Sequence, residues 1–233
     1  MKHDEDEINE DTILKQFVLD ERAARLDSVL VQRSRSLTIV LDRVQNYHNI
    51  SAVIRSADAF GIADIHLVGE VFEYSRRIAL GTERWVELVP HRTPEEALTA
   101  LRAAGYSLVV LQPENHAAQK NLPPSIPVTA LPFEQRLALT FGNERDGVSP
   151  VLAEAAEIHA FIPMKGFVES LNISVACAIC LFCSTISGAH PEQRTTPLSA
   201  DEQQQLRGRW LKQSVPHAEA ILREVRLRRN WSK

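Results

Sequence analysis

Glycine is scarce in this chain, nine in 233 residues, and no two glycines stand in G-x-G spacing. Neither the dinucleotide-binding fingerprint nor the phosphate-cradling P-loop is present, since both need glycines at fixed offsets to bring backbone N–H groups against a phosphate. There is no G-x-S-x-G nucleophile elbow and no His-rich or Cys/His metal motif. No apolar run approaches the roughly 18 residues that span a bilayer. The first eight residues, Met1-Lys-His-Asp-Glu-Asp-Glu-Ile8, lack the apolar centre of a signal peptide. A cytoplasmic protein that touches no membrane is the expectation.

Cysteine is limited to Cys177, Cys180 and Cys183. Their spacing suits thiolate ligands of a metal or cluster. Their neighbours, Val-Ala-Cys-Ala-Ile-Cys-Leu-Phe-Cys, suit small side chains buried on an apolar helix. With no fourth cysteine and no nearby histidine, the packing reading is favoured and no metal is expected.

What is there is ordinary in bulk, with 44% apolar and 24% charged residues. The net charge of −4 does not favour nucleic acid, but its distribution is uneven. Residues 1–14 hold six acids and one base, whereas residues 194–233 hold nine bases and four acids, a local charge of +5. A basic tail carrying Trp210 and Trp231 could grip phosphates and stack bases. It reads equally well as a solvated helix face with Trp210 packed inward.

Apolar residues at helical spacing predict one or two helices over 13–35. Strands follow at 37–42, 64–69, 85–89, 107–111, 137–141 and 158–162. Helices are expected at 49–60, 94–104 and 171–187. Residues 113–132 hold five prolines and read as a loop, 190–199 read as a polar linker, and two helices close the chain. Alternating strands and helices imply an α/β fold, a mostly parallel sheet covered on both faces.

Three polar loops follow strands in this order. Residues 42–58 contain Asn49 and Ser51, either able to cap a helix, and then Arg55 among Ala52, Val53, Ile54 and Ala57. An arginine in that setting needs a carboxylate or phosphate; an internal ion pair with Glu144 or Asp58 is the plainer alternative. Residues 139–147, Leu-Thr-Phe-Gly-Asn-Glu-Arg-Asp-Gly, place Gly142 where backbone must come close to something and Glu144 at the loop tip. Residues 162–176, Ile-Pro-Met-Lys-Gly-Phe-Val-Glu-Ser-Leu-Asn-Ile-Ser-Val-Ala, end one strand and open a helix that Ser170 can cap, with Asn172 beside it. Carboxyl ends of parallel strands are where open α/β sheets bind ligands.

These segments, in this order, closely resemble the three motifs of the SPOUT-superfamily RNA 2′-O-methyltransferases, the TrmH family. The likeness covers about residues 37–187. The flanking helices and the stretch Trp210-Leu-Lys-x-x-Val-Pro-x-Ala218 resemble the branch that methylates the D-loop guanosine of tRNA. The resemblance implies a domain at 37–190 with a C-terminal trefoil knot, an acidic helical segment at 1–36 and a basic helical extension at 191–233. It implies a homodimer with the site at the subunit interface, acting on tRNA with S-adenosylmethionine. Arg55 would be catalytic, with Asn49, Glu144, Ser170 and Asn172 positioning the site. Gly142, Ile162, Met164 and Leu171 would line the cofactor pocket. Gln112 falls where the family often has a contacting Thr, a departure. A ribosomal RNA methyltransferase of the same superfamily and a non-catalytic RNA-binding homologue are the alternatives. A nicotinamide-dependent oxidoreductase is disfavoured by the missing glycine fingerprint.

Overall fold

In the computed structural model of the protein, residues 10–69, 84–114, 123–186 and 198–231 are described. Most of the linker at 190–199, and residues 115–122 of the proline-rich stretch, lie outside them. The chain divides into two compact units, Ser34–Pro197 and the pair Met1–Arg33 with Leu198–Lys233.

The first unit is built on seven parallel strands: β1 (Leu37–Asp42), β2 (Asp64–Val68), β3 (Glu87–His91), β4 (Ser107–Leu111), β5 (Ile126–Pro127), β6 (Leu137–Gly142) and β7 (Ile158–Phe161). Their order across the sheet is β3-β2-β1-β6-β4-β7-β5. The strands β1 and β2 are buried along their whole length, so β1 reads as a mostly apolar run rather than an alternating one, while β2 carries buried Asp64 and His66 among its apolar residues. Successive side chains leave opposite faces. Ile39, Leu41, Leu137, Leu139 and Phe141 join the larger core, under α3 (Tyr47–Ala59) and α6 (Ile173–Ile186). Val40 and Ala138 join the other core with Ala97 and Leu101 of α4 (Pro94–Ala103) and Leu152 of α5 (Pro150–Ala155). Burying each large side chain stabilises the fold by about 1.5–3 kcal/mol.

Arg35 fastens the amino edge of the sheet. Its Nε lies 2.8 Å from Asp64 and its Nη2 lies 2.7 Å from Glu87, the first residues of β2 and β3. The carboxyl edge is left to the loops.

The second unit comprises α1 (Glu10–Lys15), α2 (Asp20–Leu30), α7 (Ala200–Ser214) and α8 (Ala218–Trp231). A capping box of Ser199 and Glu202 opens α7. Trp210 is 1% exposed, with the Arg33 guanidinium 5.4 Å from its ring centre, so it is a core residue and not a free stacking surface. Several tail cations face acids: Arg207 meets Asp27 at 3.0 Å, Lys212 meets Glu10 at 2.8 Å, and Arg226 bonds to Glu10 as well. Lys212 in turn holds the Glu10 carboxyl below its ordinary range. Asp27 and Glu10 thus offset part of the +5 in the tail within the unit.

The structure adjusts several expectations. The helix expected from residue 49 begins at Tyr47, and that expected from 171 begins at Ile173. The strand expected at 85–89 runs Glu87–His91. The helix α5 was not expected, its six residues being too few to show a period. The three cysteines are buried in the larger core, where burial pushes the Cys177 and Cys180 thiols up, the latter to about 12. Such thiols stay protonated and behave as small apolar side chains.

Candidate active site

The start of α3 is fixed by Asn46, whose side-chain oxygen accepts the His48 N–H at 3.0 Å. The cap is therefore Asn46 and neither Asn49 nor Ser51. Asn49 falls in the first turn, 8% exposed, with its amide aimed across the carboxyl edge. Its Nδ2 donates to Glu144 Oε1 at 2.5 Å, and its Oδ1 accepts from Asn172 Nδ2 at 3.1 Å. Asn172 Oδ1 accepts from the backbone N–H of Ser174 at 2.9 Å and from its hydroxyl at 2.7 Å. Asn172, not Ser170, is thus the side chain that caps α6.

The result is one polar chain, Glu144–Asn49–Asn172–Ser174, drawn from three loops separated by 95 and 123 residues in sequence. Each amide nitrogen only donates and each amide oxygen only accepts, so the directions are mutually consistent. The Glu144 carboxylate makes the first link a charge-assisted bond, stronger than a neutral one.

Glu144 reaches Asn49 from a loop that doubles back on itself. A Cβ on Gly142 would lie 2.0 Å from the carbonyl carbon of Gly147, so only glycine allows this return. The close partner of Gly142 is its own loop. Asn143 Oδ1 accepts the N–H groups of Arg145 at 2.9 Å and Asp146 at 2.7 Å, and Gly147 N–H donates to Asn143 O at 3.1 Å. At the loop's far end, Ser149 N–H donates to Asp42 Oδ2 at 2.5 Å.

Two expected site residues stand apart from this chain. Arg55 is exposed on the solvent face of α3 and has no hydrogen-bond or ion-pair partner among the described residues. Six residues of helix turn it about 120° away from Asn49. Its expected apolar setting and the alternative ion pair with Glu144 or Asp58 are both absent. Ser170 is exposed and makes no hydrogen bond to a described residue.

Gly142 ends β6, and Gln112 and Ile162 directly follow β4 and β7, the next two strands in the sheet, so the three share one carboxyl edge. The Gln112 N–H donates to Ala160 O at 3.0 Å, but its side-chain Nε2 is buried without a partner among the described residues. Residues 164–171 make no backbone hydrogen bond to other described residues. Met164 and Leu171, within that segment, are half-buried. A buried unpaired donor and a run of free backbone groups fit a ligand rich in acceptors, such as a nucleoside.

Sequence reasoning assigned no role to Asp42 or Asn46. A carboxylate closing the buried run Leu-Thr-Ile-Val-Leu was the available signal for the first.

The sequence matches the model of the SpoU rRNA Methylase family over residues 36–182. It is 31% identical over 220 residues to a tRNA (guanosine(18)-2′-O)-methyltransferase of Borreliella burgdorferi, covering 94% of this chain and 97% of that protein. The crystal structure of the Aquifex aeolicus TrmH/SpoU tRNA modifying enzyme superposes with a TM-score of 0.71 at 28% identity, covering 84% of this chain and 98% of that one. An AdoMet-bound rRNA methyltransferase from Sinorhizobium meliloti superposes at 0.56 with 29% identity, over 66% of this chain and 57% of that one. With its three loop segments inside the matched span, this chain belongs to the SpoU rRNA Methylase family.

Proposed function

We propose that the protein methylates the ribose 2′-hydroxyl of a guanosine in the tRNA D-loop, the position-eighteen type, using S-adenosylmethionine. The observation that carries the reading is the Glu144–Asn49–Asn172 chain, which ties the three loop segments at one sheet edge. The near full-length likeness to guanosine(18) tRNA methyltransferases supports the choice of RNA.

S-adenosylmethionine, when bound, supplies an already activated methyl group. Gln112 Nε2, the backbone of 164–171 and the half-buried Ile162, Met164 and Leu171 would hold it beside Gly142. A ribose 2′-hydroxyl is a weak nucleophile, so the chain's own task is to place it in line and assist departure of its proton. The Glu144–Asn49–Asn172 chain presents a fixed polar edge for the ribose, with Ser170 close in sequence. An exposed guanidinium without an internal partner is suited to grip a phosphate through paired N–H groups, and that is the role we give Arg55.

The reading brings further properties: a methyltransferase domain at 37–190 carrying a C-terminal trefoil knot, extensions at 1–36 and 191–233, a cytoplasmic setting and a homodimer. Exposed Val175 and Phe182, seven residues apart on α6, and fully exposed Phe167 support the dimer, since such apolar groups tend to mark interaction surfaces. A ribosomal substrate is the second reading, favoured by the rRNA methyltransferase neighbour. Incubating the protein with labelled cofactor and unmodified tRNA or ribosomal RNA transcripts, then mapping the labelled nucleotide, separates the two. Label at a D-loop guanosine is the expected result. Label only in ribosomal RNA would overturn the choice of substrate.

A further inference from the structure

We propose that Asp42 is a positioning residue for the methyl transfer, acting by fixing the loop that presents Glu144. The proposal rests on the functional reading above. Asp42 closes β1 and is 0% exposed. In the sheet it faces Val68 of β2 on one side and Gly142 of β6 on the other, beneath the loop 142–149. Its Oδ2 accepts the Ser149 N–H at 2.5 Å. Its Oδ1 has no hydrogen-bond partner among the described residues and lies 3.4 Å from Arg43 Nε.

A fully buried carboxylate held by one hydrogen bond and one longer ion pair is costly for stability, and an apolar residue would end the strand at less cost. What the carboxylate does is hold the far end of the Glu144 loop. Arg43 adds a second hold, its Nη2 lying 3.5 Å from Gly147 O. It does so from a left-handed backbone, φ 55°, which a non-glycine residue adopts only when its surroundings enforce it. The near end is held by the Gly142–Gly147 crossing. Between these anchors Glu144 has little freedom except to face Asn49.

The test is a double-mutant cycle on methyl transfer. Asp42→Ala is expected to lower kcat on the order of 10²-fold through a small misplacement of Glu144, with KM for tRNA changed by less than about threefold. Asp42→Asn keeps an acceptor for the Ser149 N–H and is expected to recover most of that loss. The combined Asp42→Ala/Glu144→Ala protein is expected to be no slower than Glu144→Ala alone, because both changes remove the same interaction. Ser149→Pro deletes the donor itself while leaving the carboxylate, and the Ser149 φ of −58° accepts proline. It is expected to match Asp42→Ala, and it serves if Asp42→Ala does not fold.

Losses that multiply in the double variant would overturn the proposal, since they would report a general weakening of the fold. An Asn variant as slow as the Ala variant would overturn it too, as would full activity in Glu144→Ala. A wild-type protein that methylates no RNA would defeat the functional reading and the proposal together.

Discussion

Asn49 uses both ends of one amide, donating to Glu144 and accepting from Asn172. No other residue of the polar chain touches two loops besides its own, so its loss should matter most. Asn49→Ala is expected to cut turnover by tenfold or more, the two bonds being worth about 1.5–3 kcal/mol for the charge-assisted one and about 1 kcal/mol for the other. Steady-state kinetics check this, and near wild-type turnover would remove the chain from the mechanism. Arg55 makes a different prediction, because its side chain has no internal role. Arg55→Ala should abolish transfer to RNA while leaving cofactor affinity and melting temperature nearly unchanged. Lost cofactor binding, measured by calorimetry, would count against the phosphate role. At this scale the sequence was partly legible. Asn49, Glu144 and Asn172 could be named, but the cap of α3 could not: Asn49 and Ser51 were the candidates and Asn46 was passed over. Three cap-type residues lie within six positions, and local pattern does not choose among them. The same ambiguity made Ser170 look like the cap of α6, two residues before Asn172. The exposure of Arg55 depends on where its helix packs, which its apolar neighbours do not reveal.

Among the elements, β1 and β6 carry the centre of the sheet. Leu139 is fully buried on β6, so Leu139→Ala should destabilise the protein by about 2–5 kcal/mol, read from denaturant unfolding. The edge pair β2 and β3 carries a pH response. His66 Nδ1 and His91 Nε2 lie 2.7 Å apart, both rings buried. Burial holds His66 down to about 4 and lowers His91 as well. The unfolded chain takes up these protons near the ordinary value of about 6.5 while the folded chain does not. The stability present above pH 6.5 is therefore lost progressively as pH falls toward 4. Urea midpoints at pH 7.5 and 5 check this, and His66→Gln should flatten the difference. Equal midpoints for the wild type would remove the pair as a cause. The strands β1, β4 and β6 were legible because burial of most of each strand leaves a mostly apolar run. The edge strand β3, only half-buried, gives a weaker pattern and its bounds moved by two residues.

For the whole molecule, two features bear on partners. On the terminal helices Arg207, Lys212, Arg226 and Arg228 are paired with acids, so exposed Arg223, with no ion pair among the described residues, is better placed than these four to meet RNA. The apolar residues left on α6 bear on assembly. Phe182→Glu should halve the mass seen by light scattering, and an unchanged mass would argue against a dimer through that face. Neither feature was legible in composition, because net charge does not say which cations are already paired. We propose that the three loops form one site for methylating a ribose hydroxyl. The most direct test is transfer of labelled methyl to a tRNA transcript and to the same transcript carrying 2′-deoxyguanosine at the D-loop target. Label in the first and none in the second is expected. Equal labelling of both would place the methyl group on a base or another nucleotide and contradict it.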